Sequence, residues 1–383
     1  MTKSQKTTDK ISVEDPETGK NIFLKLQNMN FLAAGAFSNV YRGIASTDNG
    51  EKKEVVIKKT WPKKKGKSSE EEILEILRRL KHKNIVMMLY SYQKTHKDRT
   101  CLALIFESMP SNLHQYLKSK NRRLDMIEVK LITWQLFRGQ AHLQRLEVCH
   151  RDIKPQNLLF NPETGLLKIS DFGSSFVQSP EELNSYHVTR YYRPPELILG
   201  SRRYGFEIDI WSCGCVFGEL LKGRVFLAGT SSVNQVEVIF DALGPPTNED
   251  LKEMRVSNST STPIIQNYKM DHNKRSLNFS YLFEQSDFQQ EDVNSRVMNE
   301  KISLEDMKKA TLILRRILVY NPKNRFAGDK LLTNKFFSDL FEGKVVREGD
   351  KKIGCLTKKD LEKVQRGDKT TTHETHETRE TCE

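Results

Sequence analysis

Short apolar runs and one amphipathic segment dominate the first part of the chain. Residues 55–58 and 102–106 are short runs rich in strand-forming apolar residues, of the length that is typical of strands. Between them, residues 70–80 carry apolar side chains at helical spacing on one side. This pattern predicts a β-rich domain with a single helix over residues 21–109. Residues 1–20 offer little apolar surface to bury, so we expect a disordered tail there.

The periodicity becomes helical after residue 109. Apolar residues recur at helical spacing from 129 to 146, and residues 208–221 are apolar enough to form a buried helix. These segments predict a mainly helical domain over residues 110–343. Residues 344–383 are basic and then repetitive, which predicts a second tail. The expected fold class is therefore α+β, with a small β-rich lobe followed by a larger, mainly helical lobe.

Charge and composition narrow the classes of function. Lysine and arginine number 62 against 50 acidic residues, for a formal net charge of +12. The basic residues are spread along the chain and do not interleave with aromatic side chains on one face, so nucleic-acid binding is not expected. No apolar run approaches the roughly 20 residues of a membrane span, and no secretory signal is recognisable. The six cysteines lack disulfide or zinc spacing. We expect a monomeric cytoplasmic protein, with the nucleus as a second compartment and no membrane insertion.

Two motifs predict phosphoryl-transfer chemistry. Phosphoryl transfer requires Mg²⁺ on the phosphates, a residue that orients the attacking hydroxyl, and a cation near the transferred group. Asp152 is suited to accept the substrate proton, and Lys154 can reach the γ-phosphate. Asn157 and Asp171 offer the hard oxygen ligands that Mg²⁺ prefers. The motifs are His150-Arg151-Asp152-Ile153-Lys154-Pro155-Gln156-Asn157 and the later Asp171-Phe172-Gly173.

These motifs make the chain resemble a protein kinase from about residue 23 to residue 340. Residues 190–200 and 209–215 resemble the group that contains cyclin-dependent, MAP and glycogen synthase kinases. Residues 134–138, 150–159 and 241–247 are most similar to the glycogen synthase kinase-3 family. The resemblance implies a serine/threonine kinase with a bilobal fold, ATP between the lobes, Mg²⁺ as cofactor, protein substrates and scaffold proteins as partners.

The resemblance also implies roles for individual residues. Lys58 would hold the α- and β-phosphates of ATP. Asp209 would bind the backbone of the catalytic turn, and Arg325 would pair with Glu196. Residues expected around the nucleotide are Leu32, Gly35, Phe37, Val40, Glu107, Met109 and Leu159, with Glu107 and Met109 offering backbone hydrogen bonds to adenine. Residues expected to be regulatory are Tyr186, as the activating phosphotyrosine, with Arg190 or Arg193 as its partners, and Arg151.

The chain departs from the family at the glycine loop and in the first helix. The loop pattern Gly-x-Gly-x-x-Gly is replaced by Ala33-Ala34-Gly35-Ala36-Phe37-Ser38, which keeps only the middle glycine. In the helix, ungapped counting places Ile73 where a glutamate should pair with Lys58. A shift of one residue would make Glu72 the partner, which is our prediction; Glu75 or no pair at all are the alternatives. These departures leave a second hypothesis open, a pseudokinase scaffold that binds nucleotide weakly.

The family's pocket for pre-phosphorylated (primed) substrates is also altered. The resemblance implies three basic residues there: one directly before the helix glutamate, the arginine of His-Arg-Asp, and one three residues beyond the Asp-Phe-Gly glycine. Arg151 keeps the second position, whereas the third is Phe176. The first is acidic in either of the two alignments, Glu72 or Glu71. We therefore expect a kinase that does not depend on primed substrates.

Overall fold

The computed structural model describes residues 9–14, 19–35, 38–61, 69–96, 99–177, 189–257, 264–265, 268 and 302–367. In chain order its strands and α-helices are β1 Asp9–Glu14, β2 Asn21–Ala34, β3 Ser38–Thr47, β4 Lys52–Thr60, α1 Ser69–Arg79, β5 Met88–His96, β6 Arg99–Glu107, β7 Ser111–Asn112, α2 Leu113–Ser119, α3 Met126–Arg145, β8 Val148–Cys149, β9 Leu158–Phe160, β10 Leu167–Ile169, β11 Phe176–Val177, α4 Pro195–Ile198, α5 Glu207–Lys222, α6 Ser232–Leu243, α7 Asn248–Glu253, α8 Leu304–Ile317, α9 Gly328–Leu332, β12 Val346–Arg347, β13 Lys351–Lys352 and α10 Lys358–Gln365.

The chain divides into two units, and the predicted α+β class is confirmed. The N-terminal unit comprises Met1–Pro110 and Ser170–Phe176, and the C-terminal unit comprises Ser111–Ile169 and Val177–Glu383. The first contains the main sheet and one described helix, and the second is mainly helical. The first division falls after Pro110, one residue beyond the predicted boundary.

Alternating side chains build the sheet of the N-terminal unit. Six antiparallel strands lie in the order β1-β2-β3-β4-β6-β5. Val55 and Ile57 of β4 are fully buried in the core of this sheet. Because successive side chains of a strand point to opposite faces, Lys58 lies on the other face. There it is directly opposite Val40 of β3 and Leu104 of β6.

The first strand corrects the prediction of a disordered tail at residues 9–14, whereas residues 1–8 and 15–18 lie outside the described residues. β1, from Asp9 to Glu14, pairs with β2 over its whole length. Val13 is buried in the sheet core and Ile11 packs against it. The alternation Ile11-Ser12-Val13 is only one apolar pair long, too short to signal a strand by itself. It becomes a strand because the edge of β2 supplies the backbone partners.

A nearly fully buried helix, α3, organises the C-terminal unit. It packs against α5, α9 and β10. The indole Nε1 of Trp134 donates to the carbonyl of Leu332 over 3.0 Å, which joins α3 to the end of α9. Among the described residues, none of the helices is both long and apolar enough to cross a membrane.

The C-terminal segment corrects the prediction of a tail for residues 344–367, and residues 368–383 lie outside the described residues. Residues 344–367 form β12, β13 and α10, with Arg347, Leu356 and Val364 buried. Arg138 of α3 donates to the carbonyl of Asp360 over 2.6 Å. This segment is polar enough to suggest a tail, but its few apolar side chains find a surface that only the folded unit provides. We call residues 344–367 the C-terminal strap.

Arg325 and Glu196 form the expected pair, and the pair is buried. Two guanidinium nitrogens of Arg325 each lie 2.7 Å from a different carboxylate oxygen of Glu196. The two side chains are 0% and 2% exposed. A buried bidentate pair costs desolvation, so removing one member leaves an uncompensated charge in the protein interior.

Arg325→Met should lower the free energy of unfolding by about 3–5 kcal/mol, because Glu196 loses its buried partner. Chemical denaturation followed by circular dichroism measures the change. The matched control is Lys309→Met, which removes the exposed i,i+4 pair with Glu305 and should leave stability essentially unchanged. Equal midpoints for both variants would contradict the buried-pair interpretation.

Candidate active site

In the N-terminal unit, Lys58 is held by two carboxylates. Its Nζ lies 2.7 Å from Oε1 of Glu70 and 2.8 Å from Oδ1 of Asp171. Lys58 lies near the C-terminal end of β4, and Glu70 lies in the first turn of α1. The side chains of Lys58 and Glu70 are only 15% and 11% exposed, so water screens this pair weakly. The arrangement fixes the ammonium group of Lys58 beside the carboxylate of Asp171, which is the predicted metal ligand.

The partner of Lys58 is Glu70, so the prediction of Glu72 is wrong. Glu72 is exposed on α1, and Ile73 is buried in the unit. Each residue of an α-helix turns the side chain by about 100° around the axis, so residues three apart share a face and adjacent residues do not. Glu70 precedes Ile73 by three residues and shares its face, whereas Glu72 projects away from it. The lysine is therefore reached from one turn earlier on the same helix face.

Burial and the neighbouring carboxylates have opposite effects on the charge of Lys58. Burial disfavours the ammonium form, whereas Glu70 and Asp171 favour it through charge and hydrogen bonds. The two carboxylates prevail, and the pKa of Lys58 is raised above its ordinary value. Lys58 is therefore a permanent cation at neutral pH, which suits the binding of phosphate oxygens.

In the C-terminal unit, three side chains converge on Asp152. Lys154 Nζ donates to Oδ2 over 2.7 Å, and Asn157 Nδ2 donates to the same oxygen over 2.9 Å. The Thr189 hydroxyl donates to Oδ1 over 2.7 Å and accepts from Lys154 Nζ over 3.2 Å. Asn157 also bonds the Asp152 carbonyl over 2.8 Å. Asp152 is thus an oriented carboxylate of the kind that can accept a proton from a hydroxyl.

Asp209 holds the turn that carries Asp152. Its buried carboxylate accepts from the backbone N–H groups of His150 and Arg151 over 2.7 and 2.9 Å, as the resemblance implies. Burial raises the pKa of Asp209, against the effect of His150 and of these hydrogen bonds. Arg151 has a φ of +65°, an uncommon value for a residue with a side chain. Its side chain hydrogen-bonds Tyr204.

The two residues predicted to offer backbone hydrogen bonds to adenine, Glu107 and Met109, have contacts within the N-terminal unit. The Glu107 N–H donates to the Met87 carbonyl over 3.2 Å, so a contact of Glu107 with adenine would use its own carbonyl oxygen. The Met109 carbonyl accepts from Arg42 Nη2 over 3.0 Å, which leaves the Met109 N–H as its expected adenine contact. Leu32 is 48% exposed.

The remaining predicted residues lie in several places. Val40 faces the Lys58 side of the sheet, and Gly35 donates its N–H to the Ser38 carbonyl over 2.7 Å. Leu159 lies on β9 of the C-terminal unit. Arg190 donates to the carbonyl of Thr230 over 2.7 Å, and Arg193 is half-buried. Phe37 and Tyr186 lie outside the described residues.

Sequence reasoning missed three contributors: Glu70, Thr189 and Arg42. Glu70 belongs to an acidic triplet at the start of α1, and the triplet is a signal that one of its members has a charged partner. Thr189 is the hydroxyl residue directly before Arg190-Tyr191-Tyr192-Arg193, a position that could have suggested contact with the catalytic loop. Arg42 lies 67 residues from Met109 and gives no local signal.

The donor set suits magnesium. Asn157 uses its amide nitrogen to hold Asp152, and its amide oxygen is the ligand type that Mg²⁺ favours. The side chain of Asp171 is 49% exposed, although Oδ1 contacts Lys58, so its carboxylate is accessible to a metal ion. Each residue fits a role as metal ligand within its own unit.

Comparisons with known proteins agree with this chemistry. The family model described as protein kinase domain matches residues 26–337. Protein kinase gsk3 of Schizosaccharomyces pombe is 33% identical over 338 residues, which cover 86% of this chain and 79% of that protein. Glycogen synthase kinase 1 of Pyricularia oryzae is 33% identical over 334 residues, covering 86% of this chain and 76% of that protein. Protein kinase gsk31 of Schizosaccharomyces pombe is 33% identical over 335 residues, with coverage of 86% and 79%.

Glu70→Gln should lower the pKa of Lys58 and reduce phosphotransfer by on the order of 10²-fold, because the lysine loses its orientation. Steady-state kinetics and the pH dependence of Lys58 acylation by an amine reagent measure the two effects. Glu72→Gln is the control from the exposed side of the same helix and should change neither. A loss of activity in Glu72→Gln with normal Glu70→Gln would restore the original assignment.

Proposed function

The chain belongs to the protein kinase family as a glycogen synthase kinase-3-like serine/threonine kinase, and from this premise we propose how its residues divide the transfer of phosphate from ATP to a protein hydroxyl. The pseudokinase hypothesis is not supported. The helix glutamate that ungapped counting did not find is present, because Glu70 pairs with Lys58. The observation that carries our proposal is the oriented carboxylate of Asp152, held by Lys154, Asn157 and Thr189.

On the nucleotide side, Lys58 binds the α- and β-phosphate oxygens. Glu70 of α1 holds the ammonium group in place before ATP binds, so ATP binding does not have to order the lysine side chain. Asn157 and Asp171 are the residues that would hold Mg²⁺, which supplies the positive charge that neutralises the phosphates. The resemblance implies that the backbone of Glu107 and Met109 bonds adenine, and that Leu32, Val40 and Leu159 are its apolar contacts.

On the substrate side, Asp152 accepts the proton of the attacking serine or threonine hydroxyl. Thr189 and Asn157 each bond one of its oxygens, which restricts rotation of the carboxylate. Lys154 donates to Asp152 and carries the cation that stabilises the charge building on the transferred group. The positions of these groups and their charges provide the catalysis, as is general for phosphoryl transfer.

Asp152→Asn should reduce kcat by about 10²–10⁴-fold and leave the fold intact, because an amide cannot accept the proton. Radiolabelled ATP with a peptide library measures transfer, and thermal denaturation checks the fold. Asp329→Asn, at an exposed aspartate that contacts Arg145, is the matched control and should retain full activity. Phosphotransfer by the purified protein that does not depend on Asp152 would refute the assignment.

Independence from primed substrates is the finer part of the proposal. With Glu70 as the partner of Lys58, the residue directly before it is Ser69, not the acidic residue expected from sequence. Ser69 carries no charge, so repulsion of a primed phosphate from that position is not expected. What remains is the absence of two cations, because Ser69 and Phe176 occupy positions that are basic in the family. Each lost charge-assisted hydrogen bond removes roughly 1.5–3 kcal/mol.

Two such losses weaken the preference for a primed peptide by roughly 10²-fold or more. We expect comparable kcat/KM for a serine peptide with phosphoserine four residues C-terminal to the acceptor and for its unphosphorylated twin. Ser69→Arg combined with Phe176→Lys restores both cations and should create a preference for the phosphorylated peptide. A large preference in the wild-type protein would show that other basic side chains rebuild the pocket.

Regulation, partners and location are proposed from the resemblance and the composition. Tyr186 is proposed as an activating phosphorylation site, whose phosphate would pair with Arg190 or Arg193. Protein substrates follow from the family, and scaffold proteins are proposed as further partners of a monomeric kinase. We propose a cytoplasmic location with the nucleus as a second compartment.

A further inference from the structure

A buried arginine of the C-terminal strap binds the middle of the C-terminal unit. Arg347, on β12, is 2% exposed. Its Nη2 and Nε donate to Oε1 of Glu128 on α3 over 2.7 and 3.2 Å. The hydroxyl of Tyr116 donates to the same oxygen over 2.8 Å. Three donors thus share one carboxylate oxygen, 219 residues away in sequence from the arginine.

The same guanidinium group also clamps a turn that follows the catalytic loop in sequence. Arg347 Nη2 donates to the Pro162 carbonyl over 2.9 Å, and Nη1 donates to the Glu163 carbonyl over 3.1 Å. Both carbonyls belong to the turn between β9 and β10. A Cβ atom at Gly165 would lie 3.0 Å from Nη1, so the turn backbone approaches the guanidinium closely. The three nitrogens of the planar arginine fork reach a carboxylate and two carbonyls together, whereas a lysine carries all of its donors on one nitrogen.

Other contacts hold this hairpin from α3 and α2. Gln135 is fully buried, donates to the Gly165 carbonyl over 2.8 Å and accepts from the Leu167 N–H over 3.0 Å. The ring of Tyr116 lies 4.5 Å from the ring of Phe160 on β9. The hairpin is therefore fixed by Gln135 at one end of the turn and by Arg347 at the other.

The two arms of this hairpin lead to the proposed metal ligands. β9 begins at Leu158, directly after Asn157, which also orients Asp152. β10 ends at Ile169, two residues before Asp171 in the chain. A loosened turn would therefore release the strand that follows Asn157 and the strand that precedes Asp171.

We propose that Arg347 is a positioning residue for phosphoryl transfer, acting through the β9–β10 hairpin on Asn157 and Asp171. The proposal rests on the function proposed above for those two residues. It makes the C-terminal strap a part of the catalytic apparatus. The competing explanation is that Arg347 only anchors the strap and contributes to stability.

Three variants of the full chain separate these explanations. Arg347→Met strands the Glu128 charge, so it should lower the melting temperature as well as loosen the hairpin. Arg347→Met combined with Glu128→Gln removes both charges and keeps an oxygen for Tyr116, which should recover much of the melting temperature. Arg347→Lys keeps the charge opposite Glu128 but not the donors for both carbonyls. The control is Lys351→Met, which removes an exposed contact with the Glu163 side chain of the same turn.

The decisive measurements are hydrogen exchange in residues 158–169 without nucleotide, and the Mg²⁺ concentration for half-maximal phosphotransfer with ATP. If Arg347 positions the hairpin, the double variant shows faster exchange there and a Mg²⁺ requirement raised by on the order of 10-fold, despite its recovered stability. Arg347→Lys shows the same two changes, and Lys351→Met shows neither.

Normal hairpin exchange and a normal Mg²⁺ requirement in the double variant and in Arg347→Lys would overturn the proposal and leave a purely stabilising role. Hydrogen exchange is independent of catalysis. A wild-type protein without Asp152-dependent transfer would therefore defeat the proposed function, whereas unchanged exchange in the variants would defeat the clamp itself.

Discussion

The buried carboxylate of Asp209 is the constraint on which the geometry of the catalytic loop depends. Its two oxygens accept the N–H groups of His150 and Arg151, and these bonds hold Arg151 in a left-handed backbone conformation. Such a conformation costs free energy for a residue with a side chain, so it persists only where the surroundings enforce it. The enforced turn delivers Asp152 to a fixed place, where Lys154 and Thr189 can meet it.

Two buried ion pairs hold other parts of the C-terminal unit in place. Arg325 with Glu196 and Arg347 with Glu128 are almost completely buried pairs, and each arginine also donates to backbone carbonyls. Pairs of this kind add little net stability compared with apolar packing, but they tolerate few alternative arrangements. Removing one member of an exposed surface pair costs far less than removing one member of a buried pair. The net charge of +12 therefore says little about the site, whose geometry depends on a few buried groups.

The altered glycine loop shows how the N-terminal unit manages without two glycines. Ala33 and Ser38 stand at the first and third glycine positions. Ala33 continues β2 and pairs with Val40 of β3, and Ser38 begins β3 and pairs with Thr60 of β4, so both lie in extended strands and neither needs the backbone freedom of glycine. Arg42, on the same β3, bonds the Met109 carbonyl. The hydrogen bond from Arg42 thus connects β3, which is expected to face the nucleotide, to Met109, which is expected to bind adenine. The glycine pattern alone does not reveal this contact.

Sequence by itself determined the chemistry and the class of fold. The His150–Asn157 and Asp171–Gly173 motifs are recognisable because phosphoryl transfer needs those residue types at short, local spacing, and the strands and helices follow from local periodicity. Tertiary structure alone decided that Glu70 and not Glu72 meets Lys58, that Thr189 meets Asp152 from 37 residues away, and that Arg347 meets Glu128 from 219 residues away. The rotation of a helix against a sheet, or the seat of a strap on a helix, depends on how whole surfaces pack. Local spacing carries no information about that packing. Many apolar side chains could occupy the same positions in the sequence, and only the folded protein shows which of them fit together.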